Sequence, residues 1–227
     1  MVARLAAGRL GAALLTVALL LGPATGRAGD EISVAETSVF MREHLSNVGA
    51  DASLHYAFQR QETAQPDVAD TVTVFIKTEA DRGRVVNAEF LHGERALSLP
   101  EVEHASSNPV VLFFLEHDVR DMHQRLGGKE NYFRKRIRLA LANEATVEPV
   151  RFAYRGKEVA GTRVSVQPYR DDPNKHRFQG MEGKRYYFML SDEVPGGFFE
   201  IGSVVEGDDA RKVPGIREVL TLSPDNG

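Results

Sequence analysis

The 227-residue chain has no cysteine and no long hydrophobic run. Without cysteine it has no disulfide, no thiol nucleophile, no Cys-ligated zinc or iron–sulfur cluster, and no attachment point for c-type haem or a lipid anchor. Its stability must therefore come from a hydrophobic core, which a chain of this length can form. The most apolar segment, residues 10–21, is about half as long as the ~20 residues that cross a bilayer. It is therefore not expected to be a transmembrane helix.

The first 28 residues have the order of a secretory signal peptide. Arg4 and Arg9 precede the apolar run, a Gly-Pro pair ends it, and the residues at positions 24–28 are small apart from Arg27. The adjacent arginines that mark export in the folded state are absent. We predict that residues 1–28 are removed and that the mature protein is exported. Its destination is then the periplasm in a Gram-negative cell, or the extracellular space otherwise.

Little in the remaining sequence indicates a nucleic-acid or cofactor partner. The leader carries three arginines and no acidic residue, so its removal changes the net charge from −4 to about −7. An acidic protein of this kind is not expected to bind nucleic acid, which requires neutralisation of phosphates. The glycine pairs at 127–128 and 196–197 form neither a dinucleotide-binding fingerprint nor a phosphate-binding loop. No cofactor is predicted.

Residues 29–227 are predicted to form a single α+β domain with a disordered tail from about residue 223. Alternating apolar residues predict strands before and after a central region with helical periodicity. We therefore predict a curved antiparallel β-sheet packed against a pair of helices that are inserted between an N-terminal and a C-terminal set of strands. The predicted strands are 53–60, 71–78, 84–91, 147–154, 159–169, 184–190, 198–205 and 216–222, and the helices are 33–47, 108–126 and 130–142.

The first of the paired helices has an unusual beginning. Asn108 and Pro109 form a helix start, and Gly127 allows the left-handed turn that ends a helix. An apolar stripe follows at Val111, Leu115, Val119, Met122 and Leu126. Residues 110–115, however, are apolar on every side of the helix. We expect this end of the helix to be buried or to face an apolar ligand.

Candidate catalytic and metal-binding residues are few. His117 and Asp121 have the four-residue spacing of two ligands on one helix face, whereas His123 turns away from them. Glu101, Glu103 and His104 form a second polar group before the helix. Both groups are also typical of solvated surface charge. Ser203 lacks the second glycine of a nucleophile elbow and lies within a predicted strand.

Two further features suggest binding surfaces. Arg134, Lys135, Arg136 and Arg138 form a basic run that either contacts an anionic partner or is a solvated helix face. Five aromatic residues lie on the two adjacent strands 184–190 and 198–205, so both faces of that hairpin receive a ring. We predict an apolar cleft between this hairpin and the first helix, and we name as its ligand-binding residues Val111, Phe114, Tyr187 and Phe199.

Three classes of function stay open at this point. The first is a non-enzymatic exported binding or carrier protein for an apolar small molecule or lipid. The predicted element order resembles that of the LolA-like half-barrels of the cell envelope, which carry lipoproteins, although no motif accompanies this analogy. The second is a metal-dependent or serine hydrolase of the cell envelope. The third is an assembly protein that binds another envelope protein through a strand edge or the basic helix.

Overall fold

The computed structural model describes residues 32–225, so the predicted leader lies outside the described residues. The helices are α1 (Val34–Glu36), α2 (Val110–Leu126) and α3 (Glu130–Asn143). The strands are β1 (Ala52–Glu62), β2 (Val68–Glu79), β3 (Gly83–Phe90), β4 (Thr146–Tyr154), β5 (Lys157–Val166), β6 (Arg185–Leu190), β7 (Phe198–Val205) and β8 (Ile216–Leu222).

All eight strands belong to one curved antiparallel sheet in the order β3-β2-β1-β8-β7-β6-β5-β4. The last strand pairs with the first, and this pairing joins the three strands before the helices to the five strands after them. The α+β architecture, with helices inserted between two sets of strands, agrees with the prediction. Most strand positions also agree, although β5 ends at Val166 instead of continuing to residue 169.

The alternation in the N-terminal strands is the clearest local confirmation. Leu54, Tyr56 and Phe58 of β1 are buried, as are Val72 and the other alternate residues of β2. These side chains project from the same face of the sheet because β1 and β2 pair in register, with Tyr56 opposite Val72. The core therefore lies on the sheet face that the two long helices cover.

Helix α2 begins and ends as its sequence predicts. The side-chain oxygen of Asn108 accepts a hydrogen bond from the backbone N–H of Val110 at 3.1 Å. Gly127 adopts a left-handed conformation with φ of 69° directly after the helix. Within the apolar first two turns every residue is buried except Leu112. Helix α3 buries Phe133 and the other three residues predicted to point inward, namely Ile137, Ala140 and Leu141.

The N-terminal segment, residues 32–47, is not the single helix that its sequence suggests. Ser33 and Glu36 form the predicted capping box, but α1 continues as one π-helical turn, Thr37–Met41. Arg42 is then extended, and a separate 3₁₀ turn covers His44–Asn47. The prediction of a continuous helix was wrong because Asn47 and Ser107 hold this segment to neighbouring loops through side-chain hydrogen bonds.

Candidate functional site

An apolar groove lies between helices α2 and α3 and the N-terminal segment. Its floor includes Leu115 and Ile137, which are almost fully buried. Its mouth is formed by Ile32, Met41 and Leu112, whose side chains are 53%, 54% and 51% exposed. The volume of the groove is about 520 Å³. Small-molecule sites in proteins usually range from about 300 to 1,000 Å³ and are lined mainly by apolar side chains.

The exposure of apolar side chains is concentrated at this groove. Among residues 32–225, five large hydrophobic side chains are exposed, and three of them form the mouth. Val34, which is 68% exposed, lies on α1 outside the groove lining. Single exposed hydrophobic residues are common on soluble proteins, whereas clusters mark binding surfaces. The cluster makes the groove the best candidate for a binding site in the described part of the chain.

Hydrogen bonds fix the wall of the groove in place. The Ser33 hydroxyl accepts from the Glu36 N–H at 3.1 Å, and the Glu36 carboxylate accepts from the Ser33 N–H at 3.2 Å. The Ser33 hydroxyl also lies 3.2 Å from the carbonyl oxygen of Leu141 in α3. At the other end, the Ser107 hydroxyl donates to the carbonyl oxygen of Phe40 at 2.8 Å. The groove is therefore preformed.

A second hollow of about 510 Å³ adjoins the groove. The two share Phe40, Met41 and Leu112, and the second is also lined by Val111 and by the loop of residues 102–109. Leu112 therefore belongs to the lining of both spaces. It is the one residue of the apolar first turns of α2 that the fold leaves in contact with solvent.

Four charged residues line the groove, and three of them form hydrogen bonds or ion pairs with other residues of the protein. Arg134 donates to the two carboxylate oxygens of Glu116 at 2.8 and 2.9 Å, and to Glu130 at 2.6 Å. The hydrogen bonds from Arg134 lower the pKa of Glu116 against the opposing effect of burial. Glu36 caps α1. Arg138 is exposed and makes no hydrogen bond or ion pair with another described residue.

A second polar feature, which we call the buried charge network, lies between α2 and the sheet. Asp118 of α2 is fully buried and forms an ion pair with Lys184, which is also buried. The Tyr186 hydroxyl donates to the same carboxylate, as does the Ser203 hydroxyl at 3.2 Å. Burial raises the pKa of Asp118, and the nearby charge of Glu218 adds to this effect, whereas Lys184 opposes it.

Glu218 of β8 completes the buried charge network. It forms an ion pair with Arg60, and the His117 Nε2 atom lies 3.4 Å from the same carboxylate oxygen. Burial alone would raise the pKa of Glu218, but His117, Lys184 and Arg60 together lower it to about 2. Its other carboxylate oxygen has no hydrogen-bond partner among residues 32–225. These charges lie between α2 and the sheet, whereas the groove is lined by other residues of α2, namely Leu112, Leu115, Glu116 and Val119.

The candidate metal ligands on α2 are engaged in other interactions. His117 faces Glu218, whereas Asp121 forms an ion pair with Arg125 at 2.8 Å. A ring nitrogen of His123 lies 2.5 Å from a backbone carbonyl oxygen just after the helix. No group of three or more potential metal ligands occurs within the described part of the chain.

The other polar candidates also have structural partners. Glu101 and Glu103 both accept hydrogen bonds from Arg82. His104 has a positive φ of 51° and lies against Gly83, where a Cβ atom would approach the ring to 2.9 Å.

Ser203 is fully buried, and its hydroxyl donates to Asp118. The hydrogen-bond partner of the Ser203 hydroxyl is therefore a carboxylate of the buried charge network and not a histidine. His117, the histidine in this network, lies against Glu218.

The structure does not bring the four predicted ligand-binding residues together. Val111 and Phe114 are buried on α2, and Val111 lines the second hollow. Tyr187 lies on the other face of the sheet, because Tyr186 and Phe188 on either side of it belong to the core. The Tyr187 hydroxyl donates to a carboxylate of β7 at 2.8 Å. Phe199 stacks on a phenylalanine of β4 with ring centroids 4.3 Å apart.

Two of the four cations in the basic run on α3 are bound to carboxylates of the protein. Arg136 forms an ion pair with Asp172 at 2.8 Å, and Arg134 is bound to two carboxylates. Lys135 and Arg138 are exposed. The run is therefore not a continuous cationic surface.

The unusual start of α2 can be predicted from the sequence, whereas the groove beside it cannot. The run at residues 110–115 signalled an apolar helix end, and Leu112 is its exposed member. Nothing in the sequence indicated that Phe40 and Met41 would form the opposite wall, because the π-helical turn that places them there has no pattern of its own. The pairing of Asp118 with Lys184 was also missed, because 66 residues separate them in the chain.

Comparisons with known proteins give no family assignment. No protein-family model matches the chain, and neither does any curated protein. The crystal structure of the Mycobacterium tuberculosis lipoprotein LppX aligns with a TM-score of 0.31 and 11% sequence identity, over 76% of this chain and 85% of that chain. A LolA superfamily protein from Nitrosomonas europaea aligns with a TM-score of 0.22 and 9% identity, over 83% of this chain and 91% of that chain. Similarity at this level assigns no function.

Within residues 32–225, no helix is long and apolar enough to cross a membrane.

Proposed function

We propose that this protein is a non-enzymatic binding or carrier protein, and that it holds an apolar chain in the groove between α2, α3 and the N-terminal segment. The observation that carries the proposal is the cluster of half-exposed apolar side chains over a buried apolar floor. Water in contact with this surface is released when a ligand covers it, which favours binding.

The size and openness of the groove suit a single flexible chain. Burial of each methylene group contributes about 0.8 kcal/mol, so ten buried methylenes contribute about 8 kcal/mol before the cost of ordering the ligand. A single myristoyl chain binds to a bilayer with an association constant of about 10⁴ M⁻¹. We expect the groove to bind a comparable chain with a Kd on the order of 100 µM or tighter. A carrier with this affinity can both accept and release its ligand.

Ligand entry requires no disruption of the core. The mouth residues Ile32, Met41 and Leu112 are already in contact with solvent. The inner face of α2, by contrast, is packed on the sheet and held by the buried ion pair between Asp118 and Lys184. A chain that enters between these mouth residues therefore leaves the contacts beneath α2 intact.

The test is a binding titration with a fluorescent probe that carries a long acyl chain. Leu112→Asp places a charge in the mouth of the groove, and desolvation of that charge is expected to weaken binding by about tenfold or more. Val34→Asp is the matched control, because Val34 is also an exposed apolar residue near the start of a helix but lies outside the lining. Equal binding by both variants and the parent chain, or no saturable binding by any of them, would refute the groove as the ligand site.

Export is part of the proposal and is supported by the leader-like order of residues 1–28. Cell fractionation followed by N-terminal sequencing tests it. We expect the protein outside the cytoplasm with its N-terminus near residue 29. An uncut chain in the cytosol would contradict export.

A further inference from the structure

Arg138 stands apart from the other charged residues of the groove. Glu116 and Arg134 neutralise one another, with Arg134 donating from two nitrogens to the two oxygens of Glu116. The Glu36 carboxylate is bound to the backbone at the start of α1. Arg138 contributes to the lining but has no partner among the described residues. The groove therefore offers a polar ligand one uncommitted cation.

The position of Arg138 suits a ligand that has both an apolar and a charged end. Arg134 and Arg138 are one helical turn apart and lie on the same face of α3. Ile137, the neighbour of Arg138 in the chain, belongs to the buried floor. A ligand chain on the floor can thus reach the guanidinium at the edge of the groove. The planar fork of N–H groups in arginine matches the geometry of carboxylates and phosphates.

We propose that the groove selects single-chain amphiphiles with an anionic head group, which Arg138 binds while the chain lies on the apolar floor. This inference rests on the proposed function, because it requires the groove to bind an apolar chain. The shared chemistry of the head group is a carboxylate or a phosphate monoester. A fatty acid and a monoacyl phosphate are the two sources of such a group.

Calorimetric titration of the purified protein with four twelve-carbon probes, each kept below its micelle concentration or its solubility limit, tests the inference. The probes are dodecanoate, monododecyl phosphate, 1-dodecanol and dodecyltrimethylammonium. Hydrogen bonds from a guanidinium to an ionised oxygen are stronger than those to a hydroxyl group, so both anions are expected to bind about tenfold or more tightly than the alcohol. The cation is expected to bind no better than the alcohol. A stronger response to dodecanoate or to the phosphate identifies which anion the site prefers.

Arg138→Met keeps the apolar stem of the side chain and removes the charge. We expect this variant to lose the preference for anions and to bind 1-dodecanol as the parent chain does. Lys135→Met is the matched control, because Lys135 is an exposed cation on the same helix outside the groove lining, and this variant should keep the preference.

The outcomes separate this inference from the proposed function. Equal binding of dodecanoate and 1-dodecanol by the parent chain would overturn the anionic preference while supporting an apolar groove. Tighter binding of the cationic probe, or an unchanged preference in Arg138→Met, would also overturn it. Absence of binding by all four probes would refute the proposed function itself.

Discussion

Substitution of Lys184 by methionine tests the buried charge network. Lys184 is 1% exposed, and its ammonium forms an ion pair with the fully buried Asp118. Removal of one partner from a buried pair leaves the other charge uncompensated and costs about 3–5 kcal/mol. We expect Lys184→Met to lower the free energy of unfolding by this amount at pH 8, measured by urea denaturation with circular dichroism. This is a large part of the stability of a typical domain.

The pH dependence of this effect follows from the pKa of Asp118. Burial raises the pKa of Asp118, and Lys184 opposes that effect, so loss of Lys184 raises the pKa further. A carboxyl group with a folded pKa above its unfolded value destabilises the protein when ionised, and this penalty decreases as pH falls below the folded pKa until it vanishes near the unfolded pKa. The destabilisation by Lys184→Met should therefore decrease as pH falls from 8 towards the ordinary carboxyl pKa of 3.8, by at most about 1.4 kcal/mol per pH unit.

Two further variants make the interpretation specific. Asp118→Asn in the Lys184→Met background removes the remaining charge and keeps an acceptor for the Tyr186 and Ser203 hydroxyls. The double variant should therefore be more stable at pH 8 than Lys184→Met alone. Lys135→Met, at an exposed position, should change stability by less than about 0.5 kcal/mol. A cost of Lys184→Met below about 1 kcal/mol at pH 8, or a cost that stays constant as pH falls from 8 towards 3.8, would contradict this prediction.

Two other predictions concern stability. Glu218, with a folded pKa of about 2 and an ordinary value of 4.5, contributes stability above pH 4.5 that is lost as pH falls towards 2. Glu218→Gln should reduce this loss of unfolding free energy between pH 6 and pH 2 by about 3 kcal/mol. An equal loss in the variant and the parent chain would show that Glu218 is not its source. Asn108 accepts from the first N–H of α2 and donates to the Tyr56 hydroxyl at 3.0 Å and to the Gly196 carbonyl at 2.9 Å. Asn108→Ala should lower the free energy of unfolding by about 2–3 kcal/mol in urea denaturation, because it removes a helix cap and leaves buried groups unpaired. A decrease below about 1 kcal/mol would show that these hydrogen bonds contribute little.

The elements of this fold were predictable where the sequence pattern is local. Leu54, Tyr56 and Phe58 alternate, and they form one buried face of β1. Asn108 and Gly127 mark the ends of α2 because capping depends on residues within one turn of the helix end.

The site depends on contacts that no local pattern specifies. The groove requires Met41 to lie opposite Leu112, which are 71 positions apart in the sequence. Tyr187 and Phe199 are predicted to line a cleft because both faces of their hairpin carry a ring, but Tyr187 lies on the face away from α2. The first two turns of α2, which are apolar on all sides, indicated that another part of the protein or a ligand covers them, although not which of their residues stays exposed.

Photo-crosslinking with a twelve-carbon fatty acid that carries a diazirine on its chain shows where the chain of a bound ligand lies. Mass spectrometry of the digested protein identifies the labelled residues. If the groove holds an apolar chain, we expect saturable labelling in the peptides that contain residues 32–41 and 112–119, with competition by unlabelled dodecanoate. Labelling confined to strands β6 and β7, or labelling that unlabelled dodecanoate does not reduce, would contradict this expectation.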